Sequence, residues 1–271
     1  MTTESGVSDE AESEDHSLPG SPPPWRPWGR ELRRALYYPL RVRGILFFLS
    51  GAFVWSAGEC GGLHYVRMVT LPLVGFYIAF CYTYIVNIVR DSAQGSDDLP
   101  PFLFREDLLD DVVHPFWDLL VLLLLCYLPV LISVWWKKGG FLGMLMFVTM
   151  PYESDLEPWQ IVLNMLGGFY FPMAMLALTV KRDIRAVSPH VVVPSIVRVP
   201  LPYMIIAGTF LWMNGLHNRI QLGIQHSGWV EVSIVLFLVK VGLLYTYSVL
   251  GRVLGKTYWV YRRRLGWFER V

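Results

Sequence analysis

Six apolar runs, each about as long as a membrane span, constrain this chain more than any other feature of its sequence. A helix needs about 20 mostly apolar residues to cross the ~30 Å hydrocarbon core of a bilayer. The runs lie at 44–64, 66–89, 115–136, 158–180, 199–217 and 229–251. Hydrophobic residues make up 54% of the chain and charged residues 17%, which does not suit a soluble domain. The runs predict an all-α fold, a polytopic transmembrane helical bundle with about six spans.

The basic residues support this count and orient the chain. Six spans place the most basic segments, 25–43, 181–198 and 252–270, on one side of the membrane. Short loops rich in Lys and Arg stay in the cytoplasm, so we expect both termini there. The apolar run at 139–150 is too short to cross, and counting it as a span would separate the basic segments. We therefore predict that it is re-entrant or lies on the surface.

The remaining segments divide the chain further. Residues 1–24 are acidic and rich in Pro, a composition that predicts a disordered tail. A basic juxtamembrane segment at 25–43 precedes a membrane domain at 44–261, and 262–271 forms a basic C-terminal tail. Apolar residues recur at helical spacing among the acidic residues of 102–115, which indicates a short interfacial helix.

Ionisable residues inside the runs are candidates for function because each costs about 2.5–3.5 kcal/mol at the centre of a membrane helix. Lys240 lies near the middle of the sixth run, and Asp118, near the start of the third, is its expected partner. Glu59 lies at the outer end of the first run. The alternative for Lys240 is structural, with its ammonium group reaching carbonyls or polar side chains within the bundle.

The fourth run adds three residues to this candidate intramembrane polar site. Asn164 and Tyr170 bring polar groups, and Pro172 predicts a break that would free carbonyls for a solute or an ion. Two structural alternatives remain open. Hydrogen bonds between helices explain Asn and Tyr in a membrane, and Pro is common in kinked membrane helices that only pack.

Enzyme signatures are absent from the sequence. There is no G-x-S-x-G, H-E-x-x-H, P-loop or C-x-x-C motif, and the six His residues are scattered. The three Cys residues lie in or beside apolar runs and indicate neither a disulfide framework nor a zinc site. We predict that the protein is not an enzyme, with no catalytic residues, no cofactor and no bound metal.

Several short stretches form a recognisable pattern, namely Gly75-Phe-Tyr-Ile to Ile88-Val-Arg90, Gly95-Ser-Asp-Asp-Leu-Pro100, Phe104, Asp110-Asp-Val-Val-His-Pro-Phe-Trp-Asp118, Gly168-Phe-Tyr-Phe-Pro-Met-Ala174, Ser195-Ile-Val-Arg-Val-Pro-Leu-Pro-Tyr203 and the ending Arg262-Arg-Arg-Leu-Gly-Trp267. These stretches resemble a family of bacterial polytopic membrane proteins known only as a domain of unknown function, and the ending is planctomycete-like. The resemblance covers about 35–267. It implies a bacterial inner membrane location and carries no activity, cofactor or catalytic residue.

These patterns favour a non-enzymatic integral membrane protein that organises protein partners or lipids at the cytoplasmic face. Its partners would be the bilayer, anionic lipids through Arg262, Arg263 and Arg264, and unidentified proteins, with no nucleic acid and with a homo-oligomer left open. The alternative is a permease for a small solute or an ion, with its site around Lys240 and Pro172. A permease should have a hydrated polar cavity that reaches Lys240, whereas a scaffold should bury this side chain.

Overall fold

The apolar runs form long helices in the computed structural model, which describes residues 25–60, 64–100, 113–138, 157–224 and 229–267. These residues form an all-α fold without strands, which confirms the predicted fold class. The helices are α1 (Trp25–Tyr37), α2 (Val42–Cys60), α3 (His64–Ala93), α4 (His114–Lys138), α5 (Pro158–Lys181), α6 (Pro189–Arg198), α7 (Pro200–Ile224) and α8 (Trp229–Leu265), with short 3-10 helices at Tyr38–Leu40 and Ile184–Val187.

Proline and a capping box fix the beginnings of several helices. Pro158, Pro189 and Pro200 each open a helix, at a position where the missing N–H costs no hydrogen bond. At the start of α5 the backbone N–H of Glu157 donates to Gln160 Oε1 at 3.0 Å. The buried Gln160 amide also donates to Ser133 Oγ at 3.1 Å, which fixes α5 against α4.

Among the residues that the structure describes, three helices are long and apolar enough to cross a membrane, fewer than the six spans predicted. They are His114–Ser133, Pro158–Lys181 and Ile234–Leu265, and a fourth candidate is the pair Pro189–Arg198 and Pro200–Ile220, which is bent by 110°. In α2, at the first run, the apolar stretch found among the described residues is Gly44–Val54, which by itself is too short to count as a span. Over the described residues, α3 does not meet the length and hydropathy of a span either. The protein is nevertheless embedded in a membrane.

The last helix extends well past the predicted end of the sixth span near residue 251. Its 37 residues give a length of about 55 Å, which exceeds the thickness of the hydrocarbon core. Hydropathy underestimated α8 because Arg252 and Lys256 interrupt the apolar pattern, yet both side chains are buried. Helix α8 packs against α1, α2, α3 and α7, while α4 packs against α5.

Two glycines allow α8 to approach α3 closely. A Cβ atom on Gly255 would lie 2.4 Å from the Val89 carbonyl oxygen and 2.6 Å from Ser92 Cβ. A Cβ atom on Gly251 would lie 3.3 Å from Ile85. The Gly251-x-x-x-Gly255 spacing therefore serves a helix contact within this chain.

The basic segment 25–43 forms α1 and a 3-10 helix that lie against the last turns of α8. The buried Trp28 donates through Nε1 to Thr257 Oγ1 at 2.9 Å, while Arg30, Arg33 and Arg34 are exposed. Three predicted features lie outside the described residues: the disordered tail at 1–24, most of the interfacial helix at 102–115, and the apolar segment at 139–150.

Candidate functional site

The structure does not bring Lys240 and Asp118 together. Lys240 is fully buried on α8, close enough to His217 of α7 for the two side chains to interact electrostatically. Asp118 lies in the first turns of α4, where the neighbouring charged groups are His114 and Arg90. Lys240 and Asp118 therefore lie in two separate environments and do not form the expected pair.

The other residues of the predicted polar site are also dispersed. Tyr170 donates its hydroxyl to the Val187 carbonyl, and Asn164 is half-buried elsewhere on α5. Pro172 is buried inside α5, which continues through it to Lys181, so the expected helix break is not present. Glu59 belongs to the last turn of α2, and its side chain lies outside the described part of the structure.

A cavity of about 260 Å³ lies between five helices of the bundle. We call it the apolar cavity because carbon atoms form almost all of its wall. The lining residues are Tyr77, Cys81, Tyr82 and Ile85 from α3, Leu119 from α4, Phe171, Pro172 and Met175 from α5, Ile206 and Phe210 from α7, and Leu244, Tyr247, Leu250, Gly251 and Leu254 from α8. A space of this kind accepts an apolar ligand more readily than water.

A second cavity of about 380 Å³ lies between α3, α4 and the end of α5, and we call it the polar cavity. Four of the described residues on its walls can be charged, namely Arg90, His114, Asp118 and Arg182. The two guanidinium groups are always protonated, so they outweigh the single carboxylate even when His114 is neutral. The polar cavity therefore favours an anion.

The two cavities follow one another along the same three helices. Tyr82 lies in the wall of both. On α3 the lining passes from Tyr77 to Arg90, and on α5 it passes from Phe171 to Arg182. Thirteen residues of helical rise separate Tyr77 from Arg90, a distance of about 20 Å. The lining thus changes from apolar to charged within the length of one amphiphilic molecule.

Arg182 is held in a backbone conformation that rarely carries a side chain of this size. It caps α5 with φ 52° and ψ 30°, and its N–H donates to the Leu178 carbonyl at 2.8 Å. Glycine is the usual residue at such a left-handed helix end, because a Cβ atom costs energy there. Among the described residues other than glycine, Arg182 alone has a positive φ. Strain of this kind clusters at functional sites.

An ion cluster near this end of the bundle joins the loop after α3 to α8. Asp97 Oδ1 lies 2.7 Å from Arg252 Nη2 and 2.9 Å from Lys256 Nζ. The ammonium group of Lys256 also donates to the Gly95 carbonyl at 3.0 Å. Hydrogen bonding to Lys256 lowers the pKa of Asp97 below its ordinary value of 3.8. Burial, the second largest effect, opposes this shift, and the hydrogen bond to Arg252 adds to it. This cluster holds the loop after α3 against α8, and its side chains line neither cavity.

The charged wall of the polar cavity was missed from the sequence. In the sequence, Arg182 belongs to a basic segment that indicates topology, Arg90 follows the second run, and His114 is one of six scattered histidines. No spacing links these residues, because the three come from different helices. A usable signal was the position of Arg90, Asp118 and Arg182 at corresponding ends of three neighbouring runs.

No group of three or more His, Cys, Asp or Glu side chains that could hold a metal occurs within the described ranges. The resemblance to a bacterial membrane protein family stays a prediction. No protein-family model, curated protein or solved structure matches this chain.

Proposed function

We propose that this chain is a non-enzymatic integral membrane protein that holds a lipid-like molecule between its helices. The observation that carries the proposal is the apolar cavity, which residues of five helices line. From the sequence we expected a protein that organises partners or lipids, and the apolar cavity is the place where we propose that a lipid binds.

The membrane surroundings indicate which molecule would enter this cavity. Acyl chains are the solvent around the bundle, and water gains few hydrogen bonds inside an apolar wall. Aromatic and aliphatic side chains with a few hydroxyl groups, among them Tyr77, Tyr82 and Tyr247, are typical of sites for apolar ligands. An acyl or isoprenoid chain fits this lining better than a hydrated ion or a polar solute.

The permease alternative has less support. It requires a hydrated polar route to Lys240, but this side chain is fully buried and lines neither described cavity. Under our proposal Lys240 serves the packing of α8 against its neighbours. The orientation that we propose puts the basic end of the bundle in the cytoplasm of a bacterial cell, with the exposed Arg262, Arg263 and Arg264 near anionic lipid headgroups.

Photocrosslinking tests the proposal. A diacylglycerol with a diazirine on one chain has no charged headgroup, so its capture reports on the apolar cavity alone. In the purified protein we expect crosslinks on peptides that contain Cys81, Met175 or Leu250, which line this cavity. Crosslinks confined to the outer surfaces of the helices would refute the proposal.

Cys81 provides matched variants for the same experiment. Its small side chain lines the cavity, so Cys81→Trp fills the space and should abolish internal crosslinks, whereas Cys81→Ala should keep them. Cys126 is buried but lines neither cavity, which makes Cys126→Ala the control. If Cys81→Trp does not fold, protection of the Cys81 thiol from an apolar maleimide by diacylglycerol gives the same answer without a bulky side chain. An unchanged rate of modification would contradict the proposal.

A further inference from the structure

We infer that the polar cavity binds the phosphate group of the molecule whose chain occupies the apolar cavity. The ligand would then be an anionic phospholipid or another long-chain phosphate. This inference rests on the proposed function and adds the chemistry of the headgroup to it.

A single ligand can occupy both cavities. They share Tyr82, and neighbouring positions on α4 divide between them, with Leu119 in the apolar cavity and Asp118 in the polar cavity. The same division occurs on α5, where Met175 lines the first and Leu178 the second. A molecule with its chain against Met175 thus has its polar end beside Arg182.

The basic residues of the polar cavity favour a phosphate at the polar end of this ligand. Arg90 and Arg182 come from different helices and lie on the wall of a single cavity. Planar guanidinium groups bind phosphate oxygens through paired hydrogen bonds. His114 can add a third donor, and the Asp118 carboxylate lies near enough to His114 and Arg90 to interact with both electrostatically.

Arg182 carries a conformational cost that its role in the polar cavity would explain. Its left-handed conformation would be relaxed by glycine, so an arginine at this position costs stability. If ligand binding requires the Arg182 guanidinium group in the polar cavity, this requirement explains why arginine is present despite the loss of stability. Substitution by glycine should therefore improve the fold and weaken the site, which separates a binding defect from misfolding.

The test compares two photoactivatable lipids that have the same chains, a phosphatidic acid and a diacylglycerol. We expect the wild-type protein to capture the phosphatidic acid about tenfold better or more, as charge-assisted hydrogen bonds would give. Arg182→Gly should reduce this preference toward parity at an unchanged or higher melting temperature. Arg185→Gln is the matched control, because Arg185 is exposed nearby and lines neither cavity.

The outcomes distinguish this inference from the proposed function. Equal capture of both lipids inside the bundle, unaltered by Arg182→Gly or Arg90→Gln, would overturn the inference and leave the proposed function standing. Internal capture of neither lipid would overturn the proposed function. Glycerol phosphate distinguishes the source of the phosphate. Weak competition by this soluble compound supports a lipid, and competition at the concentration of the lipid would overturn a single amphiphilic ligand.

Discussion

Replacing Asp97 by Asn removes a carboxylate that contacts two buried cations. The side chains of Arg252 and Lys256 are 3% and 7% exposed, so water cannot replace the lost charge fully. Removing one partner of a fully buried ion pair costs about 3–5 kcal/mol. Asp97 itself is 62% exposed, and solvent screening reduces the expected loss to about 2 kcal/mol.

The neighbouring residue offers a matched control. Asp98 contacts Arg41 at 3.4 Å with both side chains exposed, so Asp98→Asn should cost less than about 0.5 kcal/mol. In a thermal unfolding assay in detergent, Asp97→Asn should lower the melting temperature by several degrees and Asp98→Asn by one degree or less. Adding Lys256→Met to Asp97→Asn should restore part of the loss, because one unpaired buried cation is removed. Equal melting temperatures for the two single variants would refute the reasoning.

Four other predictions use the same unfolding assay or the lipid capture assay. Because hydrogen bonds lower the pKa of Asp97 in the folded protein, its carboxylate stabilises the fold fully above pH 3.8, and this stabilisation is lost as the pH falls through the lowered pKa. The difference in stability between wild type and Asp97→Asn should therefore be full at pH 5 and shrink below pH 3.8. Gly255→Ala should destabilise the protein by about 1–3 kcal/mol through contact with α3. Its control, Gly242→Ala, meets no atom within 4 Å and should be neutral or stabilising by about 0.5–1 kcal/mol. Gly95→Ala should cost about 1–2 kcal/mol, because φ is +90° and a Cβ atom would lie 3.0 Å from a ring of α8. Lys240→Met should leave lipid capture unchanged, since Lys240 lines neither cavity.

Each of these predictions has a contrary result. A constant difference between wild type and Asp97→Asn from pH 5 to pH 3 would show that the carboxylate does not titrate with folding. Equal effects of alanine at Gly255 and Gly242 would contradict the close contact of α3 and α8, and a neutral Gly95→Ala would contradict the strained loop. Loss of lipid capture in a folded Lys240→Met protein would revive the permease alternative.

Hydropathy predicted the helices of the bundle, but it did not predict how they end. The runs at 115–136 and 158–180 match α4 and α5 closely, because length and apolar composition specify such helices. It did not indicate that Arg252 and Lys256, which resemble a solvated flank in the sequence, are buried in the continuation of α8. Only the folded chain brings Asp97 from a distant loop to both cations.

The candidate site was harder to predict than the fold. An isolated Lys240 is conspicuous in an apolar run, yet burial alone does not select its partner. A proline such as Pro172 loses one hydrogen bond and can still remain inside a helix, so it indicates a break only weakly. The polar cavity depends on Arg90 and Arg182 lining one space from two different helices, which no local pattern encodes.

A cryo-electron microscopy map of the protein in native-lipid nanodiscs tests the central claim most directly. We predict continuous density for an extended molecule that begins in the apolar cavity, passes Tyr82 and ends in a compact headgroup beside Arg90 and Arg182. An apolar cavity without density, or density there that stops before Tyr82, would contradict a single amphiphilic ligand bound across both cavities.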